Sequence, residues 1–286
     1  MDLHRIAARV GNLAQLDGIA APIAKVVKQV APPKSSVKDL LSGTWLGHPL
    51  HPMLTDIPIG SFTSANVLDL IGGRSGQRAA DRLVDLGLLS AVATAAAGAA
   101  DWSDTYGEEQ RLGLVHATSN IVGVALYAMS AVARRRGARG RATVLGLAGT
   151  TAMTVGGYLG GHLAWARGVG VNNAFTQHPP TDWTATVALD DLDDGGVRRV
   201  DVDGATVLLH RSGREVVAIG SRCSHAGGPL EEGDVDEQAC TVTCPWHQSV
   251  FRLDTGAVVH GPATMPQVAY DTRVTDGRVE VRALPT

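Results

Sequence analysis

Cysteine is scarce in this chain: three of 286 residues, at positions 223, 240 and 244. That number excludes the disulfide framework of a small stapled domain, and the neighbouring histidines point to metal ligation instead. With the other two bound to metal, Cys240 has no free partner and reads as a buried structural residue. The opening stretch MDLHRIAARVGNLAQLDG lacks the apolar core and small-residue cleavage site of a secretory signal, so export would need another route. No basic excess of the kind that binds nucleic acid is present, because the net charge is −3. That value hides a split. Residues 1–170 hold 16 Lys and Arg against 11 Asp and Glu, whereas residues 171–286 hold 9 against 17. The acidic excess reads as solubility and would steer a basic partner.

Charge is missing altogether from two long stretches, residues 113–133 and 142–166. Each is long enough to cross a hydrocarbon core as a helix. Residues 83–100 are interrupted only by Asp85, and residues 53–72 by Asp56, Pro58 and Asp69; they read as two further spans. The alternative is a soluble bundle with buried Ala-rich helices, but such helices normally carry a polar stripe that the third and fourth segments lack. Gly156, Gly157, Gly160 and Gly161 give overlapping small-xxx-small patterns that let membrane helices approach closely.

Ahead of the spans, residues 13–30 read as an amphipathic surface helix ended by Ala31-Pro32-Pro33, resting on a bilayer or on the bundle. The expected organisation is a multidomain chain: an N-terminal arm over 1–44, an all-α transmembrane four-helix bundle over 45–171, a linker over 172–182 and a small all-β domain over 183–286. Arginines crowd the loops after the first and third spans, at 74, 78 and 82 and at 134–136, 139 and 141. Retention of positive charge on the cytoplasmic side would then put both chain ends outside. Lys25, Lys28, Lys34 and Lys38 in the arm weigh against this, so the lean towards an extracytoplasmic C-terminal domain is slight.

Drawn in their direction of travel, the spans bring His48, His51, Asp56, Asp101, His116 and His162 to one membrane face. Ionisable groups in spans are costly and usually pair or bind something, and imidazole suits iron, copper and zinc. Two readings stand: a second redox site, haem or another metal, held by His48, His51, His116 and His162, or a hydrogen-bonded network that closes the bundle. Residues 45–172 also resemble an uncharacterised group of four-helix bacterial membrane domains through Leu46-Gly47-His48-Pro49-Leu50-His51-Pro52, Asp56-Ile57-Pro58-Ile59-Gly60 and Gly160-Gly161-His162-Leu163, followed by Gly168-Val169-Gly170-Val171-Asn172. The resemblance implies membrane placement and no settled activity.

From about Thr181 the pattern becomes short alternating runs, at 184–189, 206–210, 215–220, 240–243, 267–270 and 278–282, separated by turns such as Asp203-Gly204 and Ser212-Gly213. This predicts a small all-β domain. Two of its loops carry Cys223-Ser224-His225 and Cys244-Pro245-Trp246-His247, with 18 residues between His225 and Cys244. Two thiolates and two imidazoles also suit tetrahedral zinc, but zinc sites usually pair Cys with Cys and His with His, whereas each loop here offers one of each. Residues 183–284 resemble a Rieske [2Fe-2S] domain through Cys223-Ser224-His225-Ala226-Gly227-Gly228-Pro229-Leu230, Cys244-Pro245-Trp246-His247, Asp254-Thr255-Gly256 and Gly261-Pro262-Ala263.

The resemblance implies that Cys223 and Cys244 hold the buried iron, His225 and His247 the outer one, and Ser249 hydrogen-bonds a cluster sulfur. Where respiratory members carry a disulfide brace this chain has Gly228 and Trp246, and Phe251 replaces a tyrosine. That places it with the ferredoxin branch, at lower potential. His178, His210 and His260 lack ligand spacing and read as strand or surface residues. The expected function is a multi-pass integral membrane protein carrying single electrons to or from a redox partner protein or the quinone pool. The alternatives are a membrane-tethered redox sensor and a quinol-linked oxidoreductase.

Overall fold

The computed structural model describes residues 3–284 and divides the chain into two compact units that interleave in sequence. The first takes the chain up to Val30 together with Leu50–Val169. The second takes Ala31–Pro49 together with everything from Gly170 onward. The segment just before the first long helix thus belongs with the C-terminal residues.

The first unit is helical. Helices α1 (Leu3–Gly11) and α2 (Asp17–Val30) come from the N-terminal arm; α3 (Ser36–Ser42) lies in the second unit. Four long helices follow: α4 (Leu50–Ile71), α5 (Gly73–Trp102), α6 (Gly107–Arg135) and α7 (Arg139–Arg167). Among the described residues, α5 and α6 are long and apolar enough to cross a membrane. The charge-free stretch 142–166 inside α7 does not join them, because its Gly, Thr, Tyr and His residues lower the hydropathy without adding charge. Length free of charge is a weaker signal than hydropathy.

Packing in this unit depends on small residues. A Cβ on Gly87 would lie 2.5 Å from the Phe62 ring, one on Gly123 2.4 Å from Met153, and one on Gly149 2.8 Å from Tyr127. The buried side chains include polar ones. Asn66 Nδ2 donates to Tyr127 Oη (2.9 Å) and Thr150 Oγ1 (2.7 Å), with Tyr127 stacked on Phe62 at 3.8 Å between ring centres. At the end where α4 finishes and α7 begins, Arg134 pairs with Asp69 and Asp81, and Arg139 pairs with Asp81. The Arg134 and Asp69 side chains are 2% and 4% exposed. Satisfying both charges with several hydrogen bonds offsets the cost of removing them from water.

The second unit, α3 aside, is two antiparallel sheets. The larger has strand order β1 (Thr184–Ala188), β10 (Arg278–Ala283), β9 (Ala269–Thr275), β4 (Glu215–Gly220), β3 (Ala205–Ser212) and β2 (Val197–Val202). The smaller runs β5 (Asp234–Asp236), β6 (Thr241–Thr243), β7 (Val250–Arg252), β8 (Val258–His260). One core fills the larger sheet around Val207, Leu209, Val279 and Val281; a second, around Leu208, Ile219, Val242, Phe251 and Leu253, also contains Cys223 and Cys244. Four strands were not foreseen in the alternation. In β2 the sequence VRRVDV interrupts its apolar positions with three charges, and β5, β7 and β8 are three residues each, too short to show a period.

Replacing Arg134 with Met leaves Asp69 buried without its main partner. That change is expected to destabilise the helical unit by about 3–5 kcal/mol, seen as a fall in the unfolding midpoint of the purified protein. Arg135→Met, whose ion pair with Asp85 is solvent-exposed, is expected to cost under about 1 kcal/mol.

Candidate metal centre

Two loops place the predicted donors. In the first, between β4 and β5, Cys223 N donates to Gly228 O (2.9 Å) and Gly227 N donates to Cys223 O (2.8 Å). These bonds fold Cys223-Ser224-His225 back on itself, and Gly227 takes a positive φ of 76° to allow it. In the second, between β6 and β7, Cys244 N donates to Ser249 O (2.8 Å) and Gln248 N to Cys244 O (3.1 Å), with Gln248 at φ 64°. Two closed turns therefore present one thiol and one imidazole each.

The loops meet at Gly228. A Cβ there would lie 2.9 Å from Cys244 Sγ and 3.1 Å from the Trp246 ring, so only glycine permits the approach. Trp246 thus packs over Gly228, and all three cysteines are free thiols.

Cys223 and Cys244 are each 1% exposed, and the His225 and His247 rings stand 4.8 Å apart, nearly perpendicular at 82°. The thiols share a hydrogen bond that pulls Cys244 down to about 6; the N–H groups of Trp246 and His247 act in the same direction. The same bond, together with burial, pushes Cys223 up. Backbone N–H groups of His225 and Ala226 point at Cys223 Sγ as well, so both sulfurs sit in ready-made donor cradles. Burial pushes His225 down to about 3, and the charges of His247 and Lys38 add to it. Its Nδ1 is buried without a hydrogen-bond partner, an arrangement that is costly unless the atom ligates something.

Supporting contacts come from beyond the two motifs. Ser249, fully buried, accepts from Ala263 N–H (2.9 Å) and so keeps its own hydrogen to donate. Ser224 Oγ donates to Met265 O (2.7 Å). Asn173, in the stretch expected to be a linker, donates from its backbone to Ser224 O (2.9 Å) and from its side chain to His225 O (2.8 Å). Nothing in the local sequence marks Asn173 for this task. Cys240, at φ 51°, is half-buried against the cluster-side core.

The histidines expected to form a second site are arranged differently. His51 Nδ1 bonds Thr94 O (2.9 Å) and His116 Nδ1 bonds Gly156 O (2.7 Å), with the rings 6.3 Å apart. His162 faces His4 at 5.3 Å, Asp56 is exposed, and His48 lies in the other unit. Among the described residues no three His, Cys, Asp or Glu side chains converge as a single-ion site requires. At the loop tips the two thiols share a hydrogen bond and the two imidazoles stand together, one sulfur pair and one nitrogen pair that suit the two irons of a cluster.

These features define an iron–sulfur protein of the mixed-ligand class. Residues 182–276 match the Rieske [2Fe-2S] domain family, and residues 47–173 match a family described as Predicted membrane protein (DUF2231). The 3-phenylpropionate/cinnamic acid dioxygenase ferredoxin subunit of Photorhabdus laumondii is 38% identical over 93 residues, 32% of this chain and 87% of that one. Ferredoxin CarAc of Metapseudomonas resinovorans is 32% identical over 100 residues, 35% of this chain and 92% of that one. Among solved structures, the ferredoxin of carbazole 1,9a-dioxygenase from Nocardioides aromaticivorans IC177 is similar, with 34% identity, coverage of 35% and 96%, and a TM-score of 0.34. The chain belongs to the Rieske [2Fe-2S] family, and its C-terminal domain binds a [2Fe-2S] cluster.

Gly228→Val is expected to push the loops apart and leave purified protein with less than half the iron and acid-labile sulfide of the unaltered chain. Gly213→Asn, at a turn with open space around it and a φ of 63° that asparagine tolerates, is expected to keep full cluster content.

Proposed function

We propose that this protein is a membrane-anchored Rieske electron carrier in which Cys223 and Cys244 hold one iron, His225 and His247 hold the other, and Ser249 donates to a cluster sulfur. The observation that carries the assignment is the convergence of two buried thiols and two imidazoles on paired turns, with His225 Nδ1 buried and unbonded. A cluster held there supplies one-electron exchange within a range of about −150 to +300 mV. The chain's own groups set where in that range it operates. Phe251 stands where a tyrosine hydroxyl would add a donor, and losing a donor to sulfur destabilises the reduced form. The potential is therefore expected in the lower half of the range.

The partner is a redox protein of the kind that dioxygenase ferredoxin subunits serve, since the Rieske relatives carry that name. Helices α4–α7 form the anchor. Their outward faces support this reading: Ile71, Leu89, Val92, Ile121, Val144 and Trp165 are between 66% and 87% exposed, while polar and charged side chains such as Asn66 and Arg134 point inward. Such an inverted surface fits lipid on the outside. Helix α2 adds Ile19, Ile23, Val26 and Val30 as an exposed apolar stripe, suited to the bilayer surface. The C-terminal domain would lie on the extracytoplasmic side. In this reading His51 and His116 close the bundle through carbonyl bonds.

One preparation tests these points. Full-length protein purified in detergent is expected to hold two irons per chain, to give a Rieske-type EPR spectrum lost in Cys223→Ser and Cys244→Ser, and to show no haem absorption. A midpoint near about +300 mV would contradict the ferredoxin-branch assignment. Release of the protein from membranes by alkaline carbonate would remove the anchor, and a stoichiometric haem would reassign the membrane histidines.

A further inference from the structure

The β domain draws on a stretch of chain that lies well before it. Residues Ala31–Pro49, separated from it in sequence by four long helices, belong to the same compact unit. Their short helix α3 has defined ends. Ser35 Oγ caps its start by accepting from Lys38 N (3.1 Å), and Gly43 stops it at φ 85°, a conformation that glycine adopts without steric cost.

This segment meets the Gly261–Ala263 loop through two side chains. Asp39 accepts from Gly261 N–H (2.8 Å) with one carboxylate oxygen and bonds His260 Nδ1 (2.8 Å) with the other. Thr44 Oγ1 donates to Ala263 O (3.4 Å), and a Cβ on residue 261 would lie 2.5 Å from that hydroxyl, so the approach of Thr44 requires glycine there. On its other side the same loop reaches Ser249. Ala263 N–H donates to Ser249 Oγ (2.9 Å), and both residues are fully buried. Ala263 is therefore held at both of its backbone polar groups, by Thr44 at the carbonyl and by Ser249 at the N–H.

A serine hydroxyl has one hydrogen to donate and two lone pairs with which to accept. With Ala263 N–H on its acceptor side, and with its own burial keeping bulk water away, the Ser249 hydrogen is turned from the loop and left for another acceptor. We propose that Asp39 is a positioning residue of the redox centre: by fixing Gly261–Ala263 it keeps Ala263 N–H on Ser249, and so directs the Ser249 hydroxyl hydrogen to the cluster sulfur. The inference rests on the ligand set and the Ser249 bond to sulfur proposed above, and adds to them a residue more than 200 positions away in sequence. Reduction adds one negative charge to the cluster, which a hydrogen bond to sulfur stabilises. With the loop released, Ser249 can rotate and give its hydrogen to a backbone carbonyl, and the reduced form loses that support. The charge of Asp39 acts in the opposite sense, because removing a carboxylate makes a nearby centre easier to reduce. Positioning and charge therefore move the midpoint in opposite directions.

The test uses the full-length protein in detergent and compares two variants of equal charge. Asp39→Asn keeps an acceptor for Gly261 N–H, and Asp39→Ala keeps none. At equal iron and acid-labile sulfide per chain, the midpoint potential of Asp39→Ala is expected below that of Asp39→Asn. The difference is expected to vanish when both are made in a Ser249→Ala chain. Equal midpoints in the first comparison overturn the proposal, as does a difference that survives without the Ser249 hydroxyl. If Asp39→Ala fails to assemble a cluster, Thr44→Val, which changes no charge, is titrated against the unaltered chain; a lowered midpoint supports the proposal and an unshifted one overturns it. Hydrogen exchange over the peptide spanning residues 255–266 is expected to quicken in Asp39→Ala and to stay slow in Asp39→Asn. Equal exchange in Asp39→Ala and the unaltered chain removes the clamp. Failure of the underlying reading looks different: a missing Rieske signal in the unaltered protein strikes the ligand assignment, and an unshifted midpoint in Ser249→Ala alone strikes the bond to sulfur.

Discussion

The approach of one loop to the other at Gly228 and Cys244 governs the cluster domain. Two thiols must come close enough to share a metal centre while staying out of water, and two imidazoles must be offered on the same side. A side chain at 228 would fill the space that the Cys244 sulfur occupies. Everything around the pair serves that approach: tight turns closed by Cys223–Gly228 and Cys244–Ser249 backbone bonds, and an indole laid over the junction. A covalent brace would hold the loops in relatives that have one. Here the indole replaces it with dispersion and desolvation, which are weaker individually but need no oxidising compartment.

Much of this was legible in the sequence because the chemistry demands particular residues at particular spacings. Cys-x-His and Cys-x-x-His, each followed by its own turn residues, specify a mixed donor pair per loop, and few other folds need that pattern. The longer alternating strands were also readable. The contacts that complete the site were not. Asp39 meets His260 and Gly261 across more than 200 residues, and a lone acid in a basic arm carries no periodic or motif signal. Asn173 sits between glycines and prolines, where composition points to a linker, yet its amide and backbone both bind the first cluster loop. Long-range polar contacts of this sort depend on the finished fold.

The helical unit obeys the opposite distribution of polarity. Many of its large aliphatic side chains face outward, and small and polar ones line the interior beside Phe62, Val84 and Leu112, so hiding apolar surface supplies only part of its cohesion. Glycines that admit Phe62, Tyr127 and Met153, a three-way hydrogen-bonded group at Asn66, and the Arg134 ion-pair network supply the rest. The sequence showed the charge-free lengths but misjudged which helices were most apolar, since absence of charge in α7 reflects Gly and Thr, not aliphatic residues. It also grouped six polar residues at one face without resolving that His48 belongs to the other unit and that Asp56 points away from the interior.

This division of labour explains why the arm before the first long helix is built as it is. In the redox domain one grip on the Gly261–Ala263 loop comes from Ser249, which accepts from Ala263 N–H. The second comes from α3, whose capping residues fix Asp39 in place before it reaches Gly261.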